Sequence, residues 1–208
     1  MQLILASQSP RRREILSSLG LTFSIFAPDC DESSSITDPA LLVHTLAERK
    51  GEAALALLRE KGEATEDMLI IASDTVVSYK GGILGKPTDK QDAERMLRAL
   101  SGRTSEVHSG IALLYNGKML SASECTTVHF AEIPENDICR YVDSGEPMDK
   151  AGAYAIQGLA SLWITGIDGD YYNVVGFPVH RFETLLREIA GVSVMEIRNE
   201  DHPPKTFL

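Results

Sequence analysis

The sequence predicts an α/β protein built on a mixed, twisted sheet flanked by helices. Two observations carry that prediction. Short apolar runs alternate with helical patterns along most of the chain, as when strands and helices interleave. One strong hairpin signal, Asn116-Gly117 between two long strand-like runs, interrupts the alternation, so the sheet cannot be wholly parallel. With 208 residues, 43% hydrophobic and 24% charged, the chain can bury a substantial core as one domain, or as one domain with two lobes.

Leu3 to Ala6 reads as a buried strand. Ser9 as N-cap and Pro10 at the first helical position then start a helix that ends near Gly20. Thr22 to Ala27 is strand-like, and Pro28 to Asp38 is an acidic, serine-rich loop. Pro39 opens a long helix to about Arg59, and a charged connector leads to a buried strand from Met68 to Tyr79. Gly81-Gly82 turns the chain before Gly85-Lys86-Pro87. Thr88 with Gln91 forms a capping box for a helix reaching Leu100. Ser105 to Tyr115 and Lys118 to Ala131 are the hairpin strands. Pro134 to Val142 is a short helix, and the segment from Asp149 to Gly158 is glycine-containing and irregular. Leu162 to Ile167 is a strand, Pro178 to Ala190 a final helix, and the tail carrying Asp201-His202-Pro203-Pro204 is loose.

A net charge of −10 argues against broad nucleic-acid binding, and no apolar run is long enough to span a bilayer. Cys30, Cys125 and Cys139 are odd in number and widely spaced. They fit a reducing, cytoplasmic setting, form no metal cluster with histidine, and read as small buried hydrophobes.

Against that acidic background, a few charged residues stand where the pattern wants something else. Arg11, Arg12 and Arg13 occupy a helix N-terminus, against the dipole, which makes sense if a polyphosphate docks there. Lys50 falls in an apolar stripe with Leu42, Leu46, Ala53 and Leu57; it either snorkels out or reaches an anion. Asp74 interrupts a run hydrophobic enough to be buried on both faces. Either the strand ends there in a turn, or the carboxylate faces a site. Lys86 and Glu32 taken alone are solvated surface, and Gln157 either caps a turn or reads a nucleobase edge.

Ser7-Gln8-Ser9-Pro10-Arg11-Arg12, Ser73-Asp74-Thr75-Val76-Val77, Gly85-Lys86-Pro87, Leu100-Ser101-Gly102, the run from Gly145 to Tyr154 and Asn173-Val174-Val175-Gly176-Phe177-Pro178 follow in order along nine-tenths of the chain. Together they resemble the Maf family. The resemblance implies a domain over residues 1–191 with a tail over 192–208, and an elongated, two-lobed, inosine-triphosphatase-like α/β fold. It implies a nucleoside triphosphate pyrophosphatase that uses Mg²⁺ or Mn²⁺, usually as a homodimer. Ser7, Arg11, Arg12, Lys50 and Lys86 would hold the triphosphate. Asp74 would accept the proton, and Glu32 would join it in binding metal. Arg11, Thr75 and Gln157 resemble the branch acting on dTTP and UTP rather than the one acting on 7-methyl-GTP. A non-enzymatic nucleotide-binding regulator of cell division, in septum formation, is the alternative.

Overall fold

The computed structural model describes residues 1–199, so the Asp201-His202-Pro203-Pro204 tail lies outside the described residues. A seven-stranded mixed sheet forms the centre. Its strands are β1 (Gln2–Leu5), β2 (Phe23–Ile25), β3 (Met68–Tyr79), β4 (Gly82–Leu84), β5 (Thr104–Tyr115), β6 (Lys118–Phe130) and β7 (Ile164–Asp168), in the order β2-β1-β3-β5-β6-β7 with β4 on β3. β1 runs parallel to β2 and β3, and all other pairings are antiparallel. The β5–β6 hairpin turns at Asn116-Gly117, where both residues have positive φ, as a two-residue hairpin turn demands.

The helices are α1 (Pro10–Ser18), α2 (Pro39–Glu60), α3 (Lys90–Leu100), α4 (Glu135–Asp143), α5 (Tyr171–Val175), α6 (Val179–Ala190) and α7 (Val194–Ile197). α5 and α7 escape the sequence reading because elements this short carry no full hydrophobic period. The α3 start also differs from expectation. Asp89, not Thr88, is the N-cap, accepting from the Asp92 amide at 2.8 Å, and the Thr88 amide donates to the Asp92 carboxylate. The residues after Gly191 pack inward, with Val192, Val194 and Ile197 against the core and the Asn199 amide donating to the Gly20 carbonyl.

Strand alternation sorts the first half of the sheet into two apolar faces. Leu69 and Ile71 join Leu5, Leu16, Phe177 and Phe182 under α1 and α6, while Ile70 and Ala72 join Ala47, Ala54 and Ala112 under α2. A further core gathers Leu97, Leu100, Val128, Phe130, Tyr141 and Tyr154 around α3 and α4. Each fully buried side chain of this size contributes about 1.5–3 kcal/mol by leaving water. The cysteines do not share in this. Cys30, in the loop before α2, is half-buried, and Cys125 on β6 and Cys139 on α4 lie on the exposed faces of their elements.

Candidate active site

β3 is long enough to outrun β1. The last β1 pairing is Leu5 with Ile71, and β4 joins the same edge of β3 only at Val77. The stretch between, containing Asp74 and Thr75, is therefore paired on its β5 side alone. Asp74 does not end the strand, as one sequence reading allowed. It lies in mid-strand, opposite Gly110, and is buried. Its neighbour Thr75 points to the other face, so the two side chains straddle the sheet edge.

On the α1 face, the chain turns from β1 through Ala6 and Ser7 into Pro10 at the first helical position. Ser9 holds the N-cap backbone conformation, but its side chain makes no capping bond; its amide instead donates to Ser7 Oγ at 3.3 Å. Arg12 turns inward and is 8% exposed. Its Nε donates to the Gly176 carbonyl at 3.0 Å, Nη1 to Ser7 Oγ at 2.9 Å and Nη2 to Thr75 Oγ1 at 3.1 Å. All three acceptors are neutral. Burial pulls the guanidinium down to about 10, partly opposed by the Asp74 charge.

On the α2 face, Lys50 reaches Asp74 Oδ1 at 2.5 Å and Glu32 Oε1 at 2.9 Å. The buried side of α2 is Leu42, Val43, Leu46, Ala47, Gly51, Ala54 and Leu58, so Ala53 and Leu57 sit at its margin rather than in the stripe expected. Small residues define that face because α2 lies almost on β5. A Cβ at Gly110 would fall 2.0 Å from the Val43 carbonyl oxygen. This close approach is what lets a lysine on α2 touch a carboxylate on β3. Burial lowers the Lys50 pKa, but the Asp74 charge, hydrogen bonds to Asp74 and Glu32, and the Glu32 charge outweigh it, leaving the ammonium above its ordinary value.

Ser7, Arg11, Arg12, Glu32, Lys50, Asp74, Thr75 and Lys86 all line one cavity of about 560 Å³. Gln157 does not. It lines an adjoining hollow of about 310 Å³ that shares Arg11, Asp149 and Tyr154 with the first. The Gln157 loop is held from behind, where the Glu146 carboxylate accepts from the Leu159 amide at 3.1 Å and from the Tyr141 hydroxyl at 3.2 Å. A side chain at Gly158, where φ is +112°, would strike that carboxylate. Among the described residues, Arg11, Arg12 and Lys86 form no ion pair with any carboxylate.

Sequence reasoning missed the residues that hold Thr75 and Arg12. Thr75 Oγ1 is 2.8 Å from Ser109 Oγ, which donates to the Asn173 carbonyl at 3.4 Å. Asn173, fully buried, anchors α5 by donating to the Val107 carbonyl and Thr126 Oγ1. A polar Asn next to Val174-Val175 was the available signal.

A profile of the Maf-like protein family matches residues 2–189. The dTTP/UTP pyrophosphatase of Symbiobacterium thermophilum is 47% identical over 188 residues, covering 90% of this chain and 93% of that protein. The dTTP/UTP pyrophosphatase of Pelotomaculum thermopropionicum is 45% identical over 198 residues, covering 93% and 99%. That of Clostridium acetobutylicum is 45% identical over 192 residues, covering 89% and 96%. Among solved structures, the Staphylococcus aureus Ham1 protein is similar with a TM-score of 0.45 and 15% identity, over 63% of this chain and 72% of that one. With a profile match spanning residues 2–189 and relatives this similar along nearly their whole lengths, the chain belongs to the Maf-like protein family.

Proposed function

We propose that this chain hydrolyses dTTP and UTP to the nucleoside monophosphate and pyrophosphate. One observation carries the reading: in a protein of net charge −10, Arg11, Arg12 and Lys86 face a single cavity without a carboxylate partner. Arg12 is buried as well. A buried cation left with neutral acceptors is costly unless an anion joins it, and a triphosphate supplies one. The cavity volume suits a ligand of that size.

In this reading, Arg11, Arg12 and Lys86 with Ser7 hold the phosphates. Asp74, oriented by Lys50, accepts a proton from the water that attacks the α-phosphorus. The bond from that phosphorus to the bridging oxygen breaks, its electrons leave with pyrophosphate, and the cations stabilise the charge that develops. Glu32 and Asp74 converge on one ammonium and offer only oxygen donors, a set that fits a hard divalent cation whose shell substrate phosphates and water complete. Mg²⁺ or Mn²⁺ held there would neutralise phosphate charge. Gln157 lies beside Arg11, so its amide would donate to O4 and accept from N3–H of a uracil or thymine ring. A cytoplasmic location and a homodimer complete the proposal, supported by family membership alone.

The test is pyrophosphate release from dTTP and UTP with Mg²⁺ or Mn²⁺. Asp74→Asn should lower turnover on the order of 10²-fold or more, the size of a general-base contribution, while still binding dTTP. Unchanged turnover removes Asp74 from the role. Nucleotide binding with no pyrophosphate release by the wild type would point instead to the regulator.

A further inference from the structure

We propose that Glu106, His108 and Cys125 form a binding site for a borderline-soft divalent cation of the zinc class, separate from the nucleotide cavity. The sheet builds it. His108 on β5 pairs directly with Cys125 on β6, and Glu106 lies on the same face of β5, opposite Ser78 on β3. His108 Nε2 is 3.3 Å from Glu106 Oε2 and 3.8 Å from Cys125 Sγ, and the donor atoms all lie within 4.8 Å of one another. Tetrahedral zinc with bonds of about 2.0–2.3 Å places its ligands roughly 3.3–3.6 Å apart, so the two edges through His108 already match to within a few tenths of an ångström, and the exposed Glu106 and Cys125 side chains would close the third.

The mixture of one carboxylate, one imidazole and one thiol selects for zinc over magnesium or calcium, which take oxygen alone. The His108 side chain is nine-tenths buried, and its Nδ1 has no hydrogen-bond partner, so every polar interaction of the ring runs through Nε2 on the cluster side. Ser78 Oγ donates to Glu106 Oε2 at 3.3 Å and steadies the carboxylate. Glu106 and Cys125 are exposed, which gives the ion an entry path and leaves a fourth position for water. None of the three residues lines the nucleotide cavity.

The absent Nδ1 partner has a consequence: supporting bonds of that kind typically account for 10–100-fold in metal affinity, so this site is weaker than a structural zinc site by about that factor. The cluster was invisible in the sequence because its members come from different strands.

The experiment is a Co²⁺ titration of the reduced full chain in excess Mg²⁺, which occupies oxygen-only sites. A thiolate-to-cobalt charge-transfer band should appear with one equivalent and vanish on adding Zn²⁺. Cys125→Ser should abolish the band, whereas a Cys30→Ser/Cys139→Ser chain should keep it. His108→Ala should weaken Zn²⁺ binding by about 100-fold or more, with circular dichroism confirming the fold. No band in the wild type, or a band that survives Cys125→Ser, overturns the proposal. Neither outcome bears on pyrophosphate release, which rests on other residues.

Discussion

Two clusters of arginine in this molecule meet opposite fates. On the outer surface, Arg98 of α3 pairs with Glu94 and with Glu135 of α4, and Arg95 pairs with Asp92. At the mouth of the cavity, Arg12 is more buried than either yet pairs with no carboxylate, although acidic residues outnumber basic ones by 30 to 20. The charge of Arg95 and Arg98 is neutralised within the chain, whereas that of Arg12 is met by neutral acceptors alone.

The strongest way to break this contrast is to remove the buried cation. Arg12→Met should lower kcat/KM for dTTP by on the order of 10²–10³-fold, the usual loss when a charge-stabilising donor is deleted. The same change should leave thermal stability unchanged or raise it, because apolar replacement of a buried charge is often neutral or stabilising by about 1–4 kcal/mol. A large fall in melting temperature would instead mean that Arg12 is held for structure.

Lys50 sharpens the comparison from the other side, since it is a cavity cation that does have carboxylate partners. Its pKa is raised in the folded chain, so its stabilising contribution is fully present below the unfolded value of 10.5 and is lost as pH rises through the folded one. The stability difference between wild type and Lys50→Met should therefore be flat through neutral pH and change only above 10.5. Denaturant unfolding at stepped pH measures it, and a change centred near neutrality would contradict the pairing with Asp74.

The smallest effect belongs to the surface. Arg98→Ala should leave the melting temperature nearly unchanged and turnover alone, because an exposed pair is screened by water. A loss of activity there would dissolve the distinction between the two clusters.

Much of this contrast was legible in the sequence. Met68 to Tyr79 emerges with the bounds its composition indicated, and the Asn116-Gly117 hairpin is where its turn chemistry put it. Arg12, Lys50 and Asp74 were legible as anomalies because each violates a local rule. Their mutual geometry was not, since the Gly176 carbonyl that receives Arg12 is 164 residues away. The phase of the α2 stripe was misjudged because hydrophobicity ranks Leu57 above Gly51, whereas close packing on β5 rewards the absence of a side chain. Ser109 gave no sign of its role, because a hydroxyl buried by tertiary contacts looks like any other in the chain.

The break in the ladder along β3 has a consequence for solubility. Unpaired strand edges ordinarily invite another polypeptide to add on and begin a fibre. Here β1 closes one end of the opening and β4 the other, which leaves a notch too short for an incoming strand but open to a small molecule. The protein thus leaves the stretch of β3 around Asp74 unpaired on one edge without offering a strand-length template for self-association.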